Sequence, residues 1–417
     1  MAAKGSVVRV VGVALALVAI AAFLLEGGGL LRRWNQALPW SAEAAALAQV
    51  PRGIAYIANE GSGTVTVVNT STNAIVRTIC LGSDPAIPGT AQPNGPCNAD
   101  TQGRAAYYNG HDAPSGLSLT PDGSVLLVAN RLSGTVVAID TTSHSILGYT
   151  PVGREPAVAV VRPGVYGLAR SLEAWVAIRG EGYVDVLRLD HDELYNPRLR
   201  RTERMSRVAS VDTVLGPSMV AFTSDGQYAY VVAGKEGRVD KIEASTRSLA
   251  AYRRLDSPWA SFALVTPDDR ELYLVQKGAN RISVLRAEDL EYVAKDVDVG
   301  ARPDQVRFVG RLAYVSVAGP APTAADPNPG GKIVILDRAT HRVVRELTGP
   351  AFAGEPGALW ATPDGRLYVA EGRANRIVVV NTGNPDDPAD DKVVGTVVGP
   401  AGELSYLKRP VAIVANP

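Results

Sequence analysis

The chain has 417 residues, 46% of them hydrophobic, and its 42 Lys+Arg are balanced by 42 Asp+Glu. That length buries a large core, as two or three ordinary domains or as one repeat architecture. A net charge of zero leaves no electrostatic footprint for nucleic acid, so no nucleic-acid partner is expected.

The N-terminal end differs in character from the rest. Lys4 and Arg9 precede an uninterrupted apolar stretch from Val10 to Leu25, followed by Glu26, the break Gly27-Gly28-Gly29 and the pair Arg32-Arg33. This predicts an apolar helix within residues 1–33 that exports the chain, and a linker over 34–50. Sixteen apolar residues fall short of the about 20 a span needs, but starting at Val7 with Arg9 snorkelling nearly makes up the difference. A cleaved signal peptide is the alternative. The one tidy A-x-A site, Ala46-Leu47-Ala48, lies more than twenty residues past the apolar run, which favours an uncleaved anchor. Either way the chain is expected outside the cytoplasm, periplasmic or at the cell surface, membrane-anchored or secreted. The flanking charges are too even to fix orientation.

From residue 51 onward a short strand motif recurs seven times: Tyr56-Ile57-Ala58-Asn59, Leu127-Val128-Ala129-Asn130, Trp175-Val176-Ala177-Ile178, Tyr230-Val231-Val232-Ala233, Tyr273-Leu274-Val275-Gln276, Tyr314-Val315-Ser316-Val317 and Tyr368-Val369-Ala370-Glu371. Each is followed by a second β-branched strand, carrying Val65, Val136, Val184, Val239, Ile282, Ile333 and Ile377, so each pair reads as a hairpin. Upstream of most hairpins a further strand ends in a tight turn, Thr120-Pro121-Asp122-Gly123, Thr223-Ser224-Asp225-Gly226, Thr266-Pro267-Asp268-Asp269 or Thr362-Pro363-Asp364-Gly365. There Pro presets one dihedral, Asp caps the backbone and Gly accepts a positive φ. A fourth, more variable strand follows, as in Ile75–Ile79 and Val343–Leu347. Four strands in each of seven repeats predict an all-β, seven-bladed β-propeller of four-stranded antiparallel blades over residues 51–417. A right-handed parallel solenoid competes, but tight meandering turns favour antiparallel blades. The first repeat opens at its Tyr56 strand without an inner strand, and Lys408–Val414 has no blade of its own. The C-terminal strand is therefore expected to join the first blade and close the ring.

The tetrapeptides YIAN, LVAN and YVAE, the TPDG turns and the G-x-V-x-x-I-D strand at 134–140 resemble the YVTN-repeat β-propeller family, of the surface-layer type. The resemblance covers about residues 51–417. It implies the fold and leaves function open, because this architecture hosts many unrelated activities.

Cys80 and Cys97, the two cysteines, flank a stretch rich in Gly, Pro and Asn. In an exported chain the pair reads as a disulfide stapling a long loop, worth about 3 kcal/mol by the chain-entropy model. Two unrelated thiols are the other reading. The absence of C-x-x-C-H excludes covalently attached haem c.

A proline stands before each inner strand: Pro114, Pro156, Pro217, Pro258, Pro303, Pro356 and Pro410. In a propeller these junctions gather on one face around the central channel, with the loops that follow the tetrapeptides. Their neighbours are charged or polar: His111, Asp112, Arg154, Glu155, Asp256, Arg302, Asp304, Glu355 and Arg409. Such a ring fits a small-molecule or peptide site. It also fits a structural ring of ion pairs. The elaborated loops 82–112 and 319–330 belong to the same face, and Tyr107, Tyr108 and His111 are candidates for a wall around the channel mouth or for loop packing. On the opposite face, residues 191–206 read as a charged, solvated loop or short helix. The acidic turn Asn384–Asp391 lacks the ligand spacing of a calcium loop.

Catalytic signatures are thin. His144 and His341 fall in equivalent turns between third and fourth strands, and no G-x-S-x-G, H-x-x-x-H or phosphate-binding loop occurs. One set stays open, His111 with Asp112, Arg154, Glu155 and Glu355. The expectation is a membrane-tethered binding or scaffold module acting through its top face on a protein or small molecule, with no metal, no cofactor and no catalysis. The competing reading is a propeller enzyme, a lactonase-like hydrolase or a subunit of a periplasmic redox enzyme.

Overall fold

The computed structural model describes residues 53–81, 112–164, 171–326, 329–399 and 407–415. The predicted N-terminal helix and linker, Cys97, Tyr107, Tyr108 and His111 lie outside the described residues. Among the described residues no helix is long and apolar enough to cross a membrane.

The second repeat shows how the sequence builds a blade. Its strands are Pro114–Leu119, Val125–Asn130, Thr135–Asp140 and Ile146–Pro151, each antiparallel to the one before. At the first turn the Thr120 hydroxyl donates to Asp122 Oδ1 at 2.6 Å, and the Gly123 amide donates to the Thr120 carbonyl at 2.8 Å. Gly123 takes φ 72° there, and Asp269 takes φ 58° at the equivalent place in the fifth blade. Aspartate tolerates the left-handed region better than most side chains. Its carboxylate also accepts the Ser224 amide of the fourth blade at 2.8 Å, so the substitution adds a bridge between blades.

Seven such four-stranded antiparallel sheets are present. Six run in simple chain order. The first orders Pro410–Ala415, Ile54–Asn59, Thr64–Asn69 and Ala74–Cys80, with Tyr56 opposite Val414 and Ala55 opposite Ala415. The seven inner strands neighbour one another in sequence around the ring, Pro410–Ala415 lying between Pro356–Ala361 and Pro114–Leu119. Six of the seven predicted prolines open their inner strands. Pro258 does not: Ala260 begins the strand Ala260–Val265, pairs with Gln276 as the prolines pair elsewhere, and leaves Pro258 in the loop.

The core is divided rather than central. Seven apolar clusters are each shared by two adjacent blades, so every second strand is buried on both faces and reads as a continuous apolar run. Val125–Asn130 is buried throughout, whereas the outer strand Ser248–Arg254 is mostly exposed.

The aromatic residue that opens most tetrapeptides is the joint between blades. Tyr56, Trp175, Tyr230, Tyr273, Tyr314 and Tyr368 are among the largest fully buried side chains. Four of these tyrosines send their hydroxyl into the next blade: Tyr56 to the Thr141 carbonyl at 3.1 Å, Tyr230 to the Ala287 carbonyl at 2.6 Å, Tyr314 to Asp391 Oδ2 at 2.8 Å and Tyr368 to the Thr70 carbonyl at 3.1 Å. Burial raises the Asp391 carboxyl to about 6 despite that bond. The Tyr273 hydroxyl has no partner among the described residues. His144 and His341 sit against Tyr56 and Tyr273, with ring centroids 6.1 and 6.0 Å apart, which places both in these joints and away from the channel.

The insertion at 191–206 is docked, where a solvated segment was the simplest expectation. Asp190 caps the single-turn helix His191–Leu194, accepting the Asp192 and Glu193 amides at 3.0 and 3.2 Å. The Tyr195 hydroxyl then reaches Asp140 of the second blade at 2.7 Å, and Arg204 donates to the Leu147 carbonyl at 2.9 Å. Gly148 permits this approach, since a Cβ there would stand 2.7 Å from the Arg201 carbonyl oxygen.

The joints give a graded expectation. Tyr230→Phe lowers unfolding free energy in urea by about 1–2 kcal/mol, by leaving the Ala287 carbonyl unpaired, and Tyr368→Phe lowers it by about 1 kcal/mol, because the Thr70 carbonyl keeps its bond from the Arg366 guanidinium. Tyr273→Phe shifts it by less than about 0.5 kcal/mol, because no bond is lost. Equal losses in all three variants would refute a role for the hydroxyl bridges.

Candidate ligand-binding mouth of the channel

One backbone device, repeated in every blade, builds the mouth. The residue just before each inner strand is left-handed: Ala113 (φ 45°), Glu155 (54°), Gly216 (83°), Trp259 (69°), Arg302 (57°), Glu355 (62°) and Arg409 (53°). A register shift follows in each inner strand that such a residue precedes at the second to sixth blades, as between Pro114 and Gly116. The carbonyl of the left-handed residue accepts the first amide beyond the neighbouring tetrapeptide, as in Glu60 to Arg409 at 3.1 Å, Arg131 to Ala113 at 3.0 Å, Arg179 to Glu155 at 3.0 Å and Ala318 to Arg302 at 3.1 Å. The two kinds of loop are thereby locked into one layer. Because the conformation recurs at Ala113 and Gly216, it is architecture shared by the ring and marks no single catalytic residue.

The charged residues expected at this layer divide among separate partners. Arg409 and Arg131 both engage Glu60, at 3.2 and 2.7 Å. Asp304 accepts Lys277 at 2.5 Å. Arg302 donates to Glu355 at 2.9 Å and to the Gly319 and Pro320 carbonyls at 2.7 and 2.9 Å, and Arg373 stands 3.8 Å from the same Glu355. Arg154 pairs with Glu181 at 2.7 Å, but its side chain is 78% exposed, so that pair contributes little. Asp112 is buried, with its carbonyl accepting the Leu132 amide at 3.1 Å. Asp256 turns away from the mouth: it pairs with Lys295 on the outer strand Tyr292–Asp298, and that lysine holds its carboxyl below the usual range. Among the described residues no hydrogen bond or ion pair joins Arg154, Glu155 and Glu355 to one another. The set considered for acid–base work is thus not assembled through its described members.

A residue absent from the expected set stands among these charges. Arg179, the first residue after its tetrapeptide, belongs to the mouth layer, its amide donating to the Glu155 carbonyl. Burial holds its guanidinium below the ordinary arginine range, opposed by the carboxylates of Glu155, Glu60 and Asp304 and aided by Arg131. Those groups come from the third, first, sixth and second blades, so the Arg179 side chain stands within electrostatic reach of four of the seven blades. Yet no ion pair within 4 Å fixes it among the described residues, so Arg179 is the mouth's uncommitted cation. Its signal in the sequence was positional: Glu60, Arg131, Arg179 and Lys277 each follow a tetrapeptide directly. The prolines drew attention to the other half of the same layer.

Other chemistry is sparse. Among the described residues no group of three or more His, Cys, Asp or Glu could hold a metal ion. A shallow cavity of about 540 Å³ opens between the sixth and seventh blades, lined mainly by Gly, Pro and Ala with Lys332, and that lysine is paired to Glu346 at 2.6 Å.

Comparison with known proteins bears on the fold. No family model and no curated protein matches the sequence. Solved structures do match. The chain is similar to the periplasmic gluconolactonase of Pseudomonas aeruginosa, with a TM-score of 0.58 at 16% identity, covering 87% of this chain and 98% of that one. It is similar to Kuenenia stuttgartiensis hydrazine synthase, with a TM-score of 0.56 at 17% identity over 68% of this chain and 86% of the other. A third similar structure is the dihydro-heme d1 dehydrogenase NirN, with a TM-score of 0.52 at 13% identity over 87% of this chain and 75% of the other. At these identities the likeness establishes a seven-bladed β-propeller and nothing narrower.

Proposed function

We propose that the chain is an extracytoplasmic binding propeller of the YVTN-repeat type, tethered through residues 1–33, whose channel mouth receives an acidic group of a protein or small-molecule ligand. The observation that carries this reading is Arg179: the charges of Glu60, Asp304 and Glu355 at the mouth are tied into pairs, and one half-buried cation among them is left without a direct partner among the described residues. A buried charge is costly unless it is paired, so the arrangement favours a ligand that brings the counter-charge. The expected outcome is that Arg179→Gln weakens capture of the native envelope partner, or binding of the best acid in an organic-acid screen, at least about tenfold with an unchanged melting temperature. Undiminished binding would overturn the assignment. The likeness to a gluconolactonase supports a second reading as a lactone hydrolase; turnover of glucono-δ-lactone that Glu155→Gln abolishes would favour it over binding alone.

An envelope location carries a redox consequence. Cys80 ends the strand Ala74–Cys80, and its pairing with Cys97 is part of this proposal. Unreduced protein from the envelope fraction should take up no maleimide until reduced; labelling of both cysteines beforehand would refute it.

The C-terminal strand is proposed as the clasp of the ring. Pro410–Ala415 supplies the first blade's inner strand and, with it, part of the apolar cluster between the seventh and first blades. Removing residues 408–417 should lower the melting temperature by at least about 10 °C, and an unchanged value would contradict the clasp.

A further inference from the structure

The channel holds a second cation that the mouth does not explain. Arg307 lies on the inner strand Pro303–Val309, opposite Tyr314. The equivalent inner-strand residues, each opposite the first residue of its own tetrapeptide, are Ser118, Val160, Ala221, Leu264, Trp360 and Val414. Five of those six are apolar and none is charged. One guanidinium therefore interrupts an otherwise neutral belt around the channel wall.

Its surroundings fix where it points. The guanidinium carbon stands 4.9 Å from the Phe262 ring centroid and 5.7 Å from that of Trp360. These rings belong to the inner strands of the two flanking blades, Ala260–Val265 and Pro356–Ala361, so a side chain between them faces the channel. Nη1 donates to the carbonyl of its own neighbour Val306 at 2.9 Å, and no carboxylate pairs with it among the described residues. Burial alone pulls it down to about 10, with no charged group of the mouth acting on it, and it remains a cation at neutral pH. Gln305 lies two residues along the same strand. Its Oε1 accepts the Leu359 amide at 3.1 Å, which leaves its NH2 without an acceptor among the described residues.

A methionine or valine here would fill the wall as the other blades do. The arginine instead costs desolvation that two aromatic faces offset only in part, which is the condition under which a bound counter-anion stabilises the site. We infer that Arg307, with the Gln305 amide, forms a channel site for a small organic monoanion, a carboxylate whose apolar body lies against Phe262, Leu264 and Trp360. This site is independent of the mouth and of Arg179. A carboxylate between these planar donors makes charge-assisted hydrogen bonds, and its apolar end meets the belt.

Benzoate is a suitable probe. Titrated into the full-length protein by calorimetry, it should bind saturably at one site per chain. Arg307→Met should weaken that binding at least about tenfold, the consequence of losing the charged partner, while Asp256→Asn, at a carboxylate turned outward to Lys295, leaves it within about twofold. Absence of saturable benzoate binding, or equal affinity in Arg307→Met, would overturn the proposal. Should that variant fail to fold, crystals of the wild-type protein soaked in 4-bromobenzoate give an independent reading. Anomalous bromine density in the channel beside Phe262 and Trp360 supports the site; density only elsewhere, or none, overturns it.

Discussion

Everything in this ring depends on the joint between one blade and the next. A single four-stranded sheet has two apolar faces and cannot hide either alone, so each blade is completed by its neighbours. The buried aromatics make that dependence directional. Tyr56, Tyr230, Tyr314 and Tyr368 fill the space between sheets and then bond a carbonyl or carboxylate of the following blade. The hydroxyl thus converts nonspecific contact between apolar sheets into a fixed spacing and rotation. At Trp175, and at Tyr273, whose hydroxyl has no partner among the described residues, Phe222 and Phe308 pack edge-on at 5.5 and 5.0 Å, and the polar link to the next blade comes instead from Glu173 with Arg247 at 2.7 Å and Glu271 with His341 at 3.2 Å.

That regularity explains why the architecture could be read from the residues. Second strands buried on both faces must be apolar throughout, and seven copies of such a run leave little ambiguity. The TPDG turns are equally legible, since Thr120, Asp122 and Gly123 each meet a backbone requirement. The mouth was legible only in part. The prolines located the layer, but side chains there choose partners across blades, and a linear sequence does not say that Arg302 will clamp the Gly319 and Pro320 carbonyls or that Asp256 will turn outward to Lys295. Arg179 and Arg307 escaped notice because their meaning is relational. Each matters for the charges that fail to stand beside it.

The two cations sit in contrasting settings. At the mouth, carboxylates from several blades surround Arg179 at a distance, a polar field in which an acidic group must compete with resident charges. Around Arg307 the wall is apolar and the field of other charges is weak. The first setting suits recognition at an entrance, by a group that stays partly in water. The second suits a molecule that gives up its hydration. A rigid ring can hold both, because the joints between blades fix the strands that display them.

The pairing of Ala55 with Ala415 links positions some 360 residues apart. A sheet that needs both cannot finish until nearly the whole chain has been synthesised, and its loop closure carries the largest entropic cost in the fold. The first blade, although made first, is therefore the last to gain its complete set of strands. Until then its tetrapeptide strand presents an unpaired edge, a template on which another chain could pair.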